Sequence, residues 1–312
     1  MTIMTNPSTG SAVESGGGGI PRQTWIKLIV VAALVLVIYF DSLRYTIASR
    51  WIHDGNWSHG WLIPLFSLYF LWTKRDAILK AESRPSLWGA VVLLVALSSY
   101  CYFLWPLPMG YPRALSLVGV LVGLVLLLGG WKILKLTWFP IAFLLLAIPL
   151  PQRIYVALTM PQQKLASMAA AMIMPLVTPG LYTDASGVVI DYTMPGRPSG
   201  QLNVEEACSG MRSMMAIVTL GVAMAYLGDK PLWQRLVLLA TCVPIAIMCN
   251  MIRVTLTGLF FIHGYEGLAK GTPHQILGLA MLALALGMYS AVGWVLAKLF
   301  VDGPDEDLPQ IA

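Results

Sequence analysis

Three residues in the C-terminal third of the chain have side chains that could together catalyse acyl transfer: Cys208, Arg253 and His274. A cysteine attacks as its thiolate, and its pKa falls at a helix N-terminus or beside a cation. Cys208 stands just before a long apolar run, so free backbone N–H groups at a helix start could face the sulfur. An imidazole could transfer the thiol proton, and a guanidinium could stabilise an oxyanion. These residue types predict a cysteine-dependent acyl-transfer site.

Polar residues near these three are predicted to support the site: Glu205, Glu206, Ser209, Arg212, Asn250 and His59. The two glutamates are ambiguous, because a carboxylate beside a thiol raises the thiol pKa, yet one of them could pair with Arg212 or orient His274. Asn250 lies one turn before Arg253 and could orient it or form a helix-packing hydrogen bond. The role of His59 stays open.

The elements that must position these residues are membrane helices. Of the 312 residues, 57% are hydrophobic and only 11% are charged, which is typical of a chain that lies mostly in lipid. The net charge of +5 does not indicate a nucleic-acid partner, because the basic residues lie mainly in short segments between apolar runs. We predict an all-α polytopic membrane protein.

Apolar runs of roughly spanning length recur along the chain and predict about eight transmembrane helices. Their approximate ranges are 25–41, 60–73, 87–105, 111–130, 133–150, 211–228, 233–255 and 275–300. Residues 1–21, which include SGGGG, are expected to form a flexible N-terminal tail, and residues 302–312 a short C-terminal tail. Residues 22–301 would then form a single integral membrane catalytic domain.

One long polar interruption, residues 153–207, separates the fifth and sixth spans and predicts an extracytoplasmic insertion. Its first part, residues 153–177, carries Pro161, the polar run QQK and a Met-rich stretch, which favours a re-entrant or interfacial helix. Its second part, GVVIDYTMPGRPSGQLNVEEA, alternates apolar and polar residues around a Pro/Gly turn. This pattern predicts a small β-hairpin.

The order of the spans places the three candidate catalytic residues on one side of the membrane. Twenty residues at about 1.5 Å each span roughly 30 Å, so Arg253 would arrive near the surface at which the helix after Cys208 begins. The last span begins just after His274, at the same surface. The basic residues of the short loops favour cytoplasmic N- and C-termini. We therefore predict a site on the extracytoplasmic face of the cytoplasmic (inner) membrane.

The strings VEEACSGMRS, NMIRV and TPHQILG, in this order, resemble the exosortase/archaeosortase family of membrane transpeptidases. WSHGWLIPLFSLYFLW resembles the N-terminal region of that family, so the resemblance runs from about Trp57 to the end of the last span. It implies an eight-span enzyme with a Cys-Arg-His site that cleaves C-terminal sorting signals, of the PEP-CTERM type in bacteria. By this match Cys208 is the nucleophile, Arg253 stabilises the transition state and His274 is the acid/base.

The resemblance also implies the partners. The substrates would be exported proteins that carry a C-terminal motif, a membrane helix and a basic tail. A thioester at Cys208 would pass each protein to an acceptor, such as a glycan or a lipid, that the sequence does not name. Membrane lipids surround the spans, and the sequence implies neither a metal nor an organic cofactor.

Each candidate residue also has a simpler interpretation. The other cysteines, Cys101, Cys242 and Cys249, lie in apolar runs and are predicted to be packing residues, although Cys249 shares a helix face with Arg253 and is a rival nucleophile. Arg253 could bind lipid headgroups, and His274 could cap a helix. These interpretations allow two other functions. One is a transporter or exopolysaccharide assembly factor in which Arg253 binds an anionic substrate, and the other is a noncatalytic membrane scaffold.

Overall fold

The computed structural model describes residues 22–196, 198–204, 211–228, 230–269 and 271–299, and most of them are helical. The α-helices are, in chain order, α1 (Arg22–Ile38), α2 (Ser49–His53), α3 (Leu62–Thr73), α4 (Arg75–Lys80), α5 (Trp88–Leu104), α6 (Gly110–Phe143), α7 (Gln152–Val177), α8 (Met211–Leu227), α9 (Leu232–Ile262), α10 (Glu266–Ala269) and α11 (Gly271–Leu299). A π-helix, Ser42–Ala48, joins α1 to α2, and 3-10 helices cover Gly55–Trp61 and Leu144–Ala147. We call the segment Gly55–Trp61 the 55–61 turn.

Three helices in the described ranges are long and apolar enough to cross a membrane: Gly110–Ala147, Leu232–Ile262 and Gln275–Leu299. A fourth candidate joins Ile26–Ile38 to Ser42–His53, and the two parts are bent by 66°. The chain is therefore a mostly helical membrane protein. Helices occur at all eight predicted positions, but the described parts of α1, α3, α5 and α8 are shorter than 18 residues, so the count of eight spans stays a prediction.

A kink at Gly130 divides the longest helix, α6. The backbone there has φ 77° and ψ −173°, which glycine adopts readily because it lacks a Cβ. A Cβ at this position would also collide with the carbonyl oxygen of Arg84. The two predicted spans 111–130 and 133–150 thus correspond to the two helical parts of α6, which meet at the kink.

The predicted insertion contains α7 and a three-stranded antiparallel sheet, which we call the cap. The strands are β1 (Tyr182–Ser186), β2 (Val189–Thr193) and β3 (Gly200–Asn203), with β2 in the centre. The pairing of Ile190 with Leu202 fixes the register of β2 and β3, which confirms the predicted hairpin. Strand β1 was not predicted, because its short sequence YTDAS has no apolar alternation.

Two hydrophobic cores pack around α9. The three-helix core lies between α8, α9 and α11 and consists of Ile217, Leu238, Cys242, Ile245, Ala246, Cys249, Met281, Ala285 and Tyr289. The cap core joins the last turns of α9 to α7 and the sheet and consists of Ala166, Ala170, Met174, Leu181, Ile190, Leu202, Val204, Val254 and Ile262.

The cap core explains why α9 is longer than the sequence predicted. The helix continues to Ile262, so the predicted end at residue 255 is wrong. Its last turns bury Val254 and Ile262 against α7 and the sheet rather than against lipid. Arg253 consequently lies nine residues, or roughly 13 Å, before the end of its helix.

Candidate active site

Arg253 lies where α9 passes from one core to the other. The last α9 residue of the three-helix core is Cys249, and the first α9 residue of the cap core is Val254. Only 6% of the Arg253 surface is exposed. Because a buried guanidinium is costly, its place in this apolar helix indicates a specific task.

The guanidinium of Arg253 contacts α11. Its Nη2, Cζ and Nη1 atoms lie 3.5, 3.6 and 3.8 Å from the place that a Cβ on Gly278 would occupy. Position 274 is four residues before Gly278 on the same helix, and residues at this spacing share a helix face. The structure thus brings Arg253 to the first turns of the helix that carries His274, whose side chain lies outside the described part.

Helix α8 covers Met211–Leu227, within the predicted span 211–228. Four predicted site residues fall in the segment 205–210, which lies outside the described residues: Glu205, Glu206, Cys208 and Ser209. Met214, in the first described turn of α8, packs against the three-helix core, and its sulfur contacts Gln162 of α7. This end of α8 therefore meets both α7 and the core that includes α9.

The 55–61 turn borders the start of α8. The guanidinium of Arg212, the second residue of α8, fills the space beside Gly55 in which a Cβ would stand. The turn as a whole packs against α8 and also against α2 and α3. The supporting residues Arg212 and His59 are thus brought to one corner of the fold, 153 residues apart in the sequence.

His59 is buried in this turn, with 8% of its surface exposed, and its ring lies 5.9 Å from that of Trp57. Neither ring nitrogen makes a hydrogen bond of normal geometry, although both are shielded from solvent. The turn lies outside the candidate spans. Burial lowers the pKa of His59 below its ordinary value of 6.5, and an interaction with the backbone of Asn56 partly offsets this effect. Burial therefore favours the neutral imidazole.

Further buried polar groups surround the same region. Asn250 is 1% exposed, and neither atom of its amide has a hydrogen-bond partner. Gln162 of α7 donates a hydrogen bond of 3.1 Å to the sulfur of Met214, while its buried Oε1 has no partner. Thr257, one turn beyond Arg253, has an equally isolated hydroxyl. Sequence reasoning missed Gln162 and Thr257 as site neighbours; the polar run after Pro161 was the available signal.

The comparison with protein-family models matches the description "Transmembrane exosortase" over residues 51–291, which is most of the chain. The chain belongs to the transmembrane exosortase family. The matched exosortase region begins before the 55–61 turn and ends within α11, so it contains every predicted site residue. The search of curated protein sequences and the search of solved structures each gave no match.

In this exosortase-family chain, the described cysteines differ in burial. Cys242 and Cys249 are buried in the three-helix core, as predicted for packing residues. Cys101 is exposed on α5, so its predicted role in packing is wrong. An apolar run of sequence does not distinguish a helix face that meets protein from one that meets lipid.

The described ranges contain no cluster of side chains that could bind a metal ion. No three His, Cys, Asp or Glu side chains in them converge as a metal site would require. The buried polar side chains described above carry guanidinium, imidazole and carboxamide groups. They can donate hydrogen bonds, accept them and transfer protons.

Proposed function

We propose that the protein is a membrane-embedded cysteine transpeptidase that cleaves the C-terminal sorting signals of exported proteins and transfers these proteins to an acceptor through a thioester at Cys208. The observation that carries the proposal is the buried guanidinium of Arg253 against Gly278, on the helix face that continues from position 274. Membership of the transmembrane exosortase family supports it.

In the first step of this proposal, the Cys208 thiolate attacks the carbonyl carbon of the scissile peptide bond. A C–S bond forms, and the carbonyl oxygen becomes an oxyanion. Arg253 would hold that oxyanion. Only 6% of Arg253 is exposed, so its guanidinium is largely desolvated and attracts developing negative charge more strongly than it would in water.

In the second step, the tetrahedral intermediate collapses and the C–N bond breaks. His274, which has taken the thiol proton, gives it to the leaving amine. The signal segment departs, and the exported protein stays on Cys208 as a thioester. A hydroxyl or amine of the acceptor then attacks the thioester carbonyl, and the C–S bond breaks to regenerate the cysteine.

The expected substrate has a short motif, its own membrane helix and a basic tail. Such a helix can dock laterally against the spans of the enzyme and bring the scissile bond to Cys208. The basic residues of the short loops favour an inner-membrane enzyme with cytoplasmic termini and an extracytoplasmic site. The proposal places an acceptor on that side, for example a glycan or a lipid.

The test is covalent trapping in the parent, Cys208→Ala and Cys249→Ala. The purified full-length chains are mixed with a tagged substrate of this design, quenched in acid and analysed by intact-protein mass spectrometry. The parent and Cys249→Ala should show a thioester adduct that maps to Cys208. Cys208→Ala should form no adduct and leave the substrate uncleaved.

Two results would contradict the proposal. An adduct on Cys249 would assign the nucleophile to the three-helix core, where Cys249 is fully buried. If Cys208→Ala cleaves the substrate at the parental rate, the Cys208 thiol takes no part in the reaction. The chain would then fit a transporter, an assembly factor that binds an anionic substrate at Arg253, or a scaffold, because these functions survive the loss of a thiol.

A further inference from the structure

The two parts of α6 fold back on each other at Gly130. A straight helix would separate Ala114 from Ile141, 27 residues apart, by roughly 40 Å. The two side chains instead belong to one small hydrophobic core, together with Val118. The kink at Gly130 is therefore the turn of a helical hairpin, and it lies at the end of the hairpin away from this core.

The chain between α3 and α5 packs on that turn. The Ser83 hydroxyl donates a hydrogen bond of 2.9 Å to the carbonyl oxygen of Leu128, and the N–H of Ser86 donates one of 3.3 Å to the carbonyl oxygen of Leu126. Helix α4 packs against both α3 and α6. Residues 72–88 and 131–135 therefore lie together, and we call their exposed side chains the basic surface.

The basic surface has a strong positive charge. Its exposed charged residues are six cations and two carboxylates: Lys74, Arg75, Lys80, Arg84, Lys132 and Lys135, with Asp76 and Glu82. They give a net charge of +4, compared with +5 for the whole chain. Glu82 lies 3.1 Å from Arg84 and 3.5 Å from Lys132, and such exposed ion pairs leave the cations available to other anions. The other three lysines form no ion pair with a described carboxylate.

Exposed aromatic and apolar side chains border these charges. Trp72, Trp88 and Trp131 are each more than half exposed, and Leu87 is 85% exposed. The guanidinium of Arg75 lies 4.3 Å from the centre of the Trp72 ring. Tryptophan rings beside basic side chains are typical of the level at which helices leave the hydrocarbon of a bilayer. The cations of the basic surface are therefore within reach of headgroup phosphates.

We propose that the basic surface binds the headgroups of anionic phospholipids. This role goes beyond the proposed transpeptidase activity and does not depend on it. A zwitterionic headgroup carries an ammonium that cancels its phosphate charge, whereas an anionic headgroup complements the net charge of +4. Each basic residue close to an anionic membrane surface increases the affinity about fivefold. The exposed tryptophans and Leu87 hold the cations at the depth of the phosphates.

The experiment compares two lipids with the same acyl chains, anionic phosphatidylglycerol and zwitterionic phosphatidylcholine. The full-length protein in detergent micelles is titrated with each lipid, and native mass spectrometry counts the bound lipid molecules. The parent should bind phosphatidylglycerol on the order of tenfold more tightly than phosphatidylcholine. The preference should disappear in the combined variant K74Q/R75Q/K132Q/K135Q, and high salt should weaken it in the parent.

Glu82→Gln tests the sign of the interaction. It removes a carboxylate that competes with the lipid phosphate for two cations, so the affinity for phosphatidylglycerol should rise about two- to fivefold. The matched control is the double variant R44Q/R50Q, which also removes exposed cations, one of them stacked on an aromatic ring. Ile47, between these two arginines, packs beside Ala114, roughly 24 Å of helix before the turn. The control should therefore change the affinity by less than about twofold.

Three results would overturn the proposal. The first is equal binding of both lipids by the parent, or a preference that survives in the combined variant. The second is a fall in phosphatidylglycerol affinity in Glu82→Gln, which can be measured even if the combined variant fails to fold. The third is displacement of the lipid by inorganic phosphate but not by chloride at equal ionic strength, which would assign the basic surface to free phosphate.

Discussion

Helix α9 passes through two apolar cores, and the short segment between them differs from both. The α9 side chains that form the three-helix core and the cap core are hydrophobic, such as Ile245 and Val254, while the buried Thr257 lies beside the cap core. Between them, Asn250 and Arg253 are almost as deeply buried but polar. We call residues 250–253 the polar segment. Burial of apolar surface stabilises a fold, whereas a buried polar group is costly unless its partners are present.

This difference indicates that separate parts of α9 contribute to stability and to turnover. The two cores hold α7, α8, α11 and the sheet in place around α9. The polar segment contributes less to stability than apolar side chains of similar size would, because the Asn250 amide has no hydrogen bond. Residues that weaken a fold persist where they serve binding or catalysis. Variants in the cores should therefore change stability, and variants in the polar segment should change turnover.

The largest effect is expected for Arg253→Lys. The cation is kept, but the rigid fork of donors is replaced by a flexible ammonium. Loss of one aimed donor at an oxyanion costs about 2.7 to 4 kcal/mol, so single-turnover cleavage should fall on the order of 100- to 1,000-fold. Uncleaved substrate should still co-purify with the variant, because it docks through distant helix contacts.

Gly278→Ala is the control for that variant. It adds a methyl group about 3.5 Å from the guanidinium, an ordinary van der Waals distance, so cleavage should stay within about threefold of the parent. If Arg253→Lys also stays within threefold, the guanidinium does not stabilise the transition state. Arg253 would then bind lipid headgroups or stabilise the fold.

An intermediate effect, on stability alone, is expected for Ile190→Ala in the cap core. Ile190 is fully buried at the centre of the sheet, opposite Leu202. Removing its side chain should lower the free energy of unfolding by about 2–5 kcal/mol, and Ile190→Val by about 0.5–1.5 kcal/mol. Denaturation in detergent micelles measures these losses. Turnover per folded molecule should not change, and a fall in turnover greater than about tenfold would show that the cap takes part in the chemistry.

Sequence patterns predicted the secondary-structure elements that pack around α9. The apolar run over 211–228 predicted α8, and the alternation around the Pro/Gly turn predicted β2 and β3. An arginine inside an apolar run identified Arg253 before its burial was known. Periodicity and turn chemistry are properties of neighbouring residues, so local elements can be read from a sequence.

The parts that sequence patterns missed depend on contacts between distant residues. The extension of α9 to Ile262 depends on its packing against the cap core. The place of His59 depends on the meeting of Gly55 with Arg212, two residues far apart in the chain. Likewise, the exposure of Cys101 depends on which side of α5 meets the rest of the protein. Tertiary packing decides such features, and it leaves no periodic signal.

The smallest effect on turnover is expected for Asn250→Leu, which tests the contrast between the polar segment of α9 and the two cores. The substitution replaces a buried amide without hydrogen bonds by an apolar side chain of similar volume. Replacing such a group is close to neutral or stabilising, so the free energy of unfolding should stay within about 1 kcal/mol of the parent or rise. We expect the Asn250 amide, one turn before Arg253, to form one hydrogen bond when substrate is bound, so turnover should fall about three- to tenfold.

Thr257→Val is the matched control for Asn250→Leu, since it removes an equally isolated buried hydroxyl on the cap side of Arg253. It should leave both the free energy of unfolding and turnover nearly unchanged. If Asn250→Leu instead lowers the free energy of unfolding by more than about 2 kcal/mol, more than a typical net hydrogen bond contributes, the amide stabilises the fold. The polar segment would then resemble the two cores in its contribution to stability, and the contrast between them would rest on Arg253 alone.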